Sequence, residues 1–295
     1  MSIIKIIKSG AGMVLRHWPV LFIFYAINFI SALLITLPLQ NALAEVYGKS
    51  LLSVELMKQM NLQYIFEFFR IEPLVVSNLL QNFLYFAFIY GLMNIFFLGG
   101  VLSIYQNDKS IFRFSQFVPD CIRYFNQFLK LFFLRVIVIS LLLLINFLIG
   151  LFFKELLIDH TNELAPFYYN LARLIISGLL LIIITIIFEY TQIDIVLSGR
   201  ISIFKAINSA IKFYNANYLK ASALFGTIFS FGLILIMLSW IFSTNFPTNR
   251  NILIIALFLS QQLIVFVRLG IKLSFYASQL IFFRNEIPIS PSDGL

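Results

Sequence analysis

Six long runs of apolar residues, separated by shorter polar segments, dominate the pattern along the chain. Each run is continuous and can cross about 30 Å of hydrocarbon as an α-helix with a rise of about 1.5 Å per residue. Strands of a membrane barrel need only about ten residues and alternate in polarity, so the pattern favours helices. The sequence therefore predicts an all-α, polytopic membrane helix bundle. Its six spans are predicted at residues 18–39, 79–105, 128–153, 168–197, 219–244 and 251–283.

The composition agrees with a chain that uses the bilayer as its solvent. Of the 295 residues, 61% are hydrophobic and only 12% are charged, whereas soluble domains are about half apolar and about a quarter charged. One globular core of this length could not bury so much apolar surface. The net charge of +8 does not indicate nucleic acid, because no soluble basic domain is present to bind it. We expect membrane lipids, chiefly anionic ones, as partners.

Basic residues are distributed unevenly between the two sides of the predicted spans. Twelve lie on the side of the N-terminus: Lys5, Lys8, Arg16, Lys109, Arg113, Arg123, Lys130, Arg200, Lys205, Lys212, Lys220 and Arg284. Five lie on the other side, together with most of the acidic residues: Lys49, Lys58, Arg70, Lys154 and Arg250. Because cytoplasmic loops carry an excess of Lys and Arg, both termini are predicted to be cytoplasmic. The predicted location is the cytoplasmic (inner) cell membrane.

Similar segments recur along the chain, which suggests internal repeats. Residues 122–130 resemble residues 211–220 if one inserted residue is allowed, and Ser110-Ile-Phe-Arg113 resembles Ser202-Ile-Phe-Lys205. A fainter third copy begins at Ser2. We predict a single transmembrane domain, residues 1–295, with possible repeat units 1–109, 110–201 and 202–295. Each unit would contain an amphipathic helix followed by an outward and an inward span. Alternatively, the successive cytoplasmic loops carry similar amphipathic helices without any repetition of the whole unit.

The segments that begin two of these repeats have the periodicity of amphipathic helices. One apolar stripe contains Phe114, Phe117, Val118, Cys121, Ile122, Phe125, Phe128 and Leu129. The other contains Ile203, Ile207, Ala210, Ile211, Tyr214 and Tyr218. Such helices lie in the membrane interface and place basic groups near lipid phosphates. The candidate headgroup contacts are Arg113, Arg123, Lys130, Lys205, Lys212 and Lys220. The helices could anchor the protein or dock a protein partner.

Polar and ionisable residues within the predicted spans form a second candidate site, since each is costly in hydrocarbon. The cluster consists of Arg135, Asn146, Glu189, Asp194, Gln261, Arg268 and Lys272. In the last span Gln261, Arg268, Lys272 and Gln279 share one narrow helical face. We hypothesise that Glu189 neutralises Lys272 or Arg268. The cluster could instead line a pathway for a solute, ion or lipid headgroup, or the two cations could snorkel to the interface.

Motifs of the common enzyme classes are missing from the sequence. It contains no P-loop, no G-x-S-x-G and no H-E-x-x-H, and its spans hold no constellation suited to intramembrane proteolysis. Cys121 is the only cysteine, and the two histidines have no metal-binding spacing. We therefore expect no cofactor, no metal and no enzymatic activity. The basic N-terminus lacks a small-residue cleavage site and is predicted to belong to the mature protein.

Several short motifs in the middle of the chain resemble a known group of proteins. They are Ile187-Phe-Glu-Tyr-Thr-Gln-Ile-Asp-Ile-Val, Ser198-Gly-Arg, Ser202-Ile-Phe-Lys-Ala-Ile and Phe213, with Phe97-Leu-Gly-Gly-Val101 ahead of Phe117, Cys121, Tyr124-Phe125 and Phe128-Leu129. Over residues 97–225 they resemble a family of uncharacterised bacterial multi-pass membrane proteins, distantly like the membrane domains of glycerophosphodiester phosphodiesterases. That family carries no established catalytic residues, so the resemblance assigns no site. We expect no phosphodiesterase activity, because the sequence contains no such domain.

Three classes of function follow from these features. The first is a non-enzymatic integral membrane protein, acting as a lipid-associated component or as a subunit of a larger membrane complex. The second is a transporter or permease with a polar pathway between the fourth and sixth spans. An intramembrane enzyme is the third class, and it requires a site that no motif reveals.

Overall fold

The computed structural model of the protein describes residues 2–47, 66, 69–70, 73–107, 112–157, 164–199, 202–245 and 251–286. In this part of the chain the backbone forms seven long α-helices and no strand, which confirms the predicted all-α fold. The helices are α1 (Ile3–Arg16), α2 (Trp18–Tyr47), α3 (Pro73–Gln106), α4 (Phe114–Leu157), α5 (Ala165–Ser198), α6 (Ile203–Asn245) and α7 (Asn251–Glu286).

Six of the seven helices are long and apolar enough to cross a membrane, as predicted from the sequence. The candidate spans are Trp18–Glu45, Pro73–Gln106, Phe114–Phe153, Ala165–Ser198, Ile203–Phe242 and Ile252–Glu286. These ranges are longer than the predicted ones, and in α4 and α6 the helix also contains the amphipathic segment that precedes the span. The chain is therefore a multi-pass membrane protein. Lys109, Arg200 and most of the charged residues assigned to the opposite side lie outside the described residues.

The three amphipathic segments join their spans in different ways. Helix α1 ends at Arg16, and α2 starts at Trp18 after a turn at His17. Helix α6 is kinked at Asn217, whose φ of −128° and ψ of 24° are not helical. Helix α4 runs unbroken from Phe114 to Leu157, since residues 120–149 contain neither glycine nor proline. The predicted amphipathic helix and third span are thus one continuous helix.

The described chain divides into two compact units. Unit A contains Met1–Ser9, Ile95–Thr227 and Tyr276–Leu295, and unit B contains Gly10–Asn94 and Ile228–Phe275. We call residues 3–16, 114–130 and 203–216 the interfacial segments. The second and third of these, together with the start of the first, belong to unit A.

Helices α4 and α5 form an antiparallel hairpin in unit A. Arg135 contacts Thr185, whereas Asn146, further along α4, contacts Ser177, which comes earlier in α5. In residues 136–153 and 164–182 of this hairpin most large apolar side chains are exposed, as expected for helices that face lipid.

The core of unit A is built from aromatic rings and close helix contacts. Tyr190 of α5 packs against Phe213 of α6, with ring centroids 4.7 Å apart, and stacks with Phe283 of α7 at 5.8 Å. Elsewhere in the unit, Gly99 and Gly100 of α3 lie directly against α4. Small residues allow two helix backbones to approach closely in a membrane protein.

Candidate functional site

The interfacial segments bury equivalent positions. Ile6 and Ala206, which differ by 200 in residue number, are both buried, and Phe117 takes the same buried place in α4 when residues 122–130 are aligned with residues 211–220. One helical turn further, Ala210 and Cys121 are buried as well. Phe213 and Tyr124, three residues later, continue the same faces. The three segments thus share one buried register, although the repeat units themselves stay a prediction.

A second apolar face lies beside each buried face and is exposed. Ile4 is 79% exposed, Phe204 is 77% exposed and Ile122 is 63% exposed. The apolar stripes predicted from the sequence are therefore divided between protein core and outer surface. In α6 the buried positions include Ala206 and Phe213, neither of which belongs to the predicted stripe.

Basic residues occupy the remaining face of each segment or lie within a few residues of its ends. All six predicted headgroup contacts are exposed: Arg113, Arg123, Lys130, Lys205, Lys212 and Lys220. Lys5 and Lys8 are exposed in the same way in α1. Lys220 also forms an ion pair of 2.9 Å with Glu286 at the end of α7. An exposed apolar face next to a basic face is the arrangement by which helices bind the membrane interface.

Exposed aromatic residues follow the junctions between interfacial segment and span. Trp18 comes directly after the turn at His17, and Tyr218 comes directly after the kink at Asn217. Trp18 is 57% exposed and Tyr218 is 55% exposed. Trp and Tyr concentrate at membrane–water interfaces because their rings are apolar and their N–H or O–H groups are polar.

Each interfacial segment is tied to the end of a span by a serine contact within unit A. Ser103 of α3 donates to Asp120 of α4 at 2.7 Å, and Ser209 of α6 donates to Asp194 of α5 at 3.2 Å. Ser278 of α7 approaches the backbone oxygen of Ile6 at 3.5 Å. Asp194, which the sequence assigned to the intramembrane cluster, is thus a buried group that holds an interfacial segment.

Glu189 contacts the last helix through an amide. The Gln279 side chain of α7 donates to the Glu189 carboxylate at 2.8 Å. Gln279 is buried, and its side-chain oxygen has no hydrogen-bond partner within the described residues. The fourth and sixth spans therefore meet at a polar contact between Glu189 and Gln279. That Glu189 neutralises Lys272 or Arg268 stays a prediction.

Helices α2, α3 and α7 are joined by polar contacts in unit B. Lys272 of α7 donates to the Asn94 side chain of α3 at 3.2 Å. Further side chains complete the connections. Tyr90 of α3 donates to Asn28 of α2 at 2.7 Å, and Tyr25 of α2 donates to Gln262 of α7 at 2.9 Å.

The other polar residues of the last span differ in their surroundings. Gln261, which was selected from the sequence, is half-buried, and its neighbour Gln262 makes the contact with α2. Arg268 is exposed, which fits a cation that extends along the helix surface towards the interface.

Arg135 and Asn146 share one face of α4, as predicted, and that face packs on α5. Arg135 donates to the Thr185 hydroxyl at 3.1 Å, and Asn146 donates to Ser177. Ser177 in turn donates to the backbone oxygen of Arg173. These contacts satisfy polar groups inside the hairpin, where lipid offers no partner.

Arg173 is an intramembrane cation that sequence reasoning did not select. Its guanidinium lies over the Tyr169 ring at 5.9 Å and occupies the space beside Gly150 of α4. The sequence signal that could have identified Arg173 is the presence of a charged residue eight positions after the start of α5. The role of Gly150 depends on how α4 and α5 pack, which the sequence pattern does not reveal.

Neither a metal-binding group among the described residues nor a match to a known protein indicates what these sites do. Among the described residues, no group of three or more His, Cys, Asp or Glu side chains could hold a metal ion. Comparison of the chain with protein-family models, curated proteins and solved structures found no match. The function must therefore be inferred from the geometry.

Proposed function

We propose that this integral membrane protein is a non-enzymatic, lipid-associated component of the membrane that binds anionic headgroups through its three interfacial segments. The observation that carries the proposal is their common layout. In each segment a buried face is followed by an exposed apolar face and then by an exposed basic face. Apolar side chains such as Phe204 would enter the acyl region while Lys205 and Lys212 reach the phosphates.

The magnitude of the attraction supports this assignment. Each Lys or Arg close to an anionic membrane surface contributes about 1 kcal/mol. The six predicted headgroup contacts are all exposed, so their contributions can add up to a marked preference for anionic lipid. The serine contacts at Asp120 and Asp194 connect two of the segments to the ends of spans, next to which the basic faces are exposed.

The test is native mass spectrometry of the full-length protein released from detergent in the presence of phosphatidylglycerol or phosphatidylcholine. The proposal expects preferential retention of phosphatidylglycerol, and a reduction when Lys205 and Lys212 are both changed to Gln. The matched control changes Asn208 and Asn215, polar residues of the same segment, to Gln. Equal retention of the two lipids by the unaltered protein contradicts the proposal.

The same measurement addresses the other form of this proposal, a subunit of a larger membrane complex. A stoichiometric protein that co-purifies under gentle conditions supports the subunit role. The basic faces would then be shared between lipid and that partner.

A transporter or permease is the second candidate, and the Glu189–Gln279 contact favours it. This contact joins the fourth and sixth spans through a carboxylate, and intramembrane carboxylates often mark solute or ion pathways. Reconstitution of the purified protein in liposomes tests this role. Solute uptake by these liposomes that is lost in Glu189→Gln would establish transport. If none of the solutes tested crosses the bilayer, the lipid-associated role is favoured instead.

A further inference from the structure

The α4–α5 hairpin contains a cation, Arg173, towards the end opposite the interfacial segment of α4. In the described part of the chain, the side chain of Arg173 makes no hydrogen bond and no ion pair. Its contacts are the face of the Tyr169 ring and the backbone at Gly150. Arginine carries five N–H donors and stays charged in proteins, so an intramembrane arginine of this kind needs an anion.

The neighbouring residues place this cation near the lipid headgroups. Tyr169 and Phe153 stack with ring centroids 4.6 Å apart, and Phe152, Phe167 and Tyr168 around them are exposed. Aromatic residues concentrate at the membrane–water interface. Side chains of an α-helix point towards its N-terminus, so Arg173 extends back towards Tyr169 and away from the centre of the hydrocarbon.

Gly150 provides the space in which the guanidinium lies. A Cβ atom added there would overlap the Arg173 Nη1 atom. Two neutral side chains of the described residues near the site make their own contacts, since Asn146 donates to Ser177 and Tyr169 donates to the backbone oxygen of Ile149. The planar guanidinium is thus held between an aromatic ring and a helix backbone, and no acceptor among the described residues takes up its donors.

We propose that Arg173, seated between Tyr169 and Gly150, binds a phosphate group at this end of the α4–α5 hairpin. A guanidinium matches a phosphate through two parallel N–H···O contacts, which a lysine ammonium cannot make. Phospholipid headgroups and inorganic phosphate both carry this chemistry. The aromatic surroundings favour the lipid, which would place its acyl chains on the exposed apolar surface of the hairpin.

The variants that test the site follow from the glycine contact. Gly150→Ala pushes the flexible end of Arg173 out of its place without removing the charge. Gly178→Ala is the matched control in the partner helix, because a Cβ there meets nothing within 4 Å. Arg173→Gln removes the charge, and Arg173→Lys keeps the charge but loses the two parallel N–H donors of the guanidinium. Arg135→Gln removes a second arginine of the hairpin, one that already donates to Thr185.

The measurement is native mass spectrometry of each purified full-length variant, titrated separately with dioleoylphosphatidylglycerol and with inorganic phosphate. We expect Arg173→Gln and Gly150→Ala to bind one lipid fewer, or to bind it at least about tenfold more weakly, than the unaltered protein. Arg173→Lys should be intermediate, and Gly178→Ala and Arg135→Gln unchanged. Size-exclusion profiles and circular dichroism verify that each variant folds.

The outcomes separate the sources of the phosphate. Loss of lipid binding alone identifies a phospholipid headgroup, and loss of inorganic phosphate binding identifies a free phosphate site. Unchanged binding of both probes in folded Arg173→Gln and Gly150→Ala overturns the proposal, as does an equal loss in Gly178→Ala. All basic residues of the interfacial segments are intact in these variants, so this test is independent of the proposed function.

Discussion

Gln279 of α7 donates a hydrogen bond of 2.8 Å to the Glu189 carboxylate of α5, and this contact joins the fourth and sixth spans within unit A. Replacing Gln279 by Leu keeps a similar volume but removes the donor. We expect a loss of about 1–2 kcal/mol in the free energy of unfolding, because the half-buried carboxylate loses an amide partner in an apolar region. Unfolding in mixed micelles with increasing denaturing detergent measures this loss.

Two further variants serve as controls for this contact. Glu189→Gln retains a side-chain oxygen that can accept from Gln279, so its effect should be smaller. Gln261→Leu alters a half-buried amide of the same helix and should change the free energy of unfolding little. If Gln279→Leu is no more destabilising than Gln261→Leu, the contact contributes nothing to stability.

Gly100 offers a sharper test of the contact between α3 and α4. A Cβ atom at this position would lie 2.5 Å from the Cys121 sulfur and 2.6 Å from the Phe117 ring. Gly100→Ala should therefore force the two helices apart and lower the free energy of unfolding by about 1–3 kcal/mol. Thermal unfolding in detergent, followed by loss of the monodisperse peak, provides the measurement.

Gly91 of the same helix is the matched control, since a Cβ there meets nothing within 4 Å. Alanine is favoured over glycine in a helix by about 0.5–1 kcal/mol, so Gly91→Ala should be neutral or slightly stabilising. If Gly100→Ala, like Gly91→Ala, leaves the free energy of unfolding unchanged or raises it, the close approach of the helices at Gly100 is unimportant for stability.

The sequence predicted the six spans because hydrocarbon imposes a simple rule of length and polarity on each helix separately. The direction in which each helix faces the protein was harder to predict. In a membrane, large apolar residues such as Phe204 and Ile4 face lipid as readily as protein, whereas Ala206 and Ala210 lie in the contacts between helices. A stripe of large apolar residues therefore marks the outer surface as often as the core.

The polar contacts were predicted only in part, for a related reason. The face shared by Arg135 and Asn146 could be read from their spacing, and both residues do contact α5. The choice of Gln262 over Gln261 depends on where Tyr25 of α2 lies, which no local pattern specifies. Arg173 likewise became notable only because Gly150 lies beside it.

The predicted orientation can be tested with single cysteines. Cys121 is buried and is the only cysteine, so Cys121→Ala provides a background without reactive thiols. In this background Arg113→Cys and Phe66→Cys, both at exposed positions, would lie on opposite sides of the membrane. The positive-inside rule expects a membrane-impermeant maleimide to label Phe66→Cys in intact cells and Arg113→Cys only after permeabilisation. The reverse labelling would place both termini outside.

Lys272 and Asn94 supply the last prediction, because a cation and an amide meet between α7 and α3 at 3.2 Å. Asn94→Asp places a carboxylate against the ammonium, so it should be tolerated or stabilising while Lys272 is present. With Lys272→Met the introduced carboxylate loses its cation and should become destabilising. A double-mutant cycle on the free energy of unfolding should therefore give favourable coupling between this carboxylate and Lys272, above the average of about 0.6 kcal/mol for neutral hydrogen bonds in membrane proteins.

Asn78→Asp in the same α3 helix, at an exposed position, is the control and should show no coupling to Lys272. Zero coupling at Asn94 would mean that the ammonium is stabilised by other groups and that this contact does not hold α7 to α3.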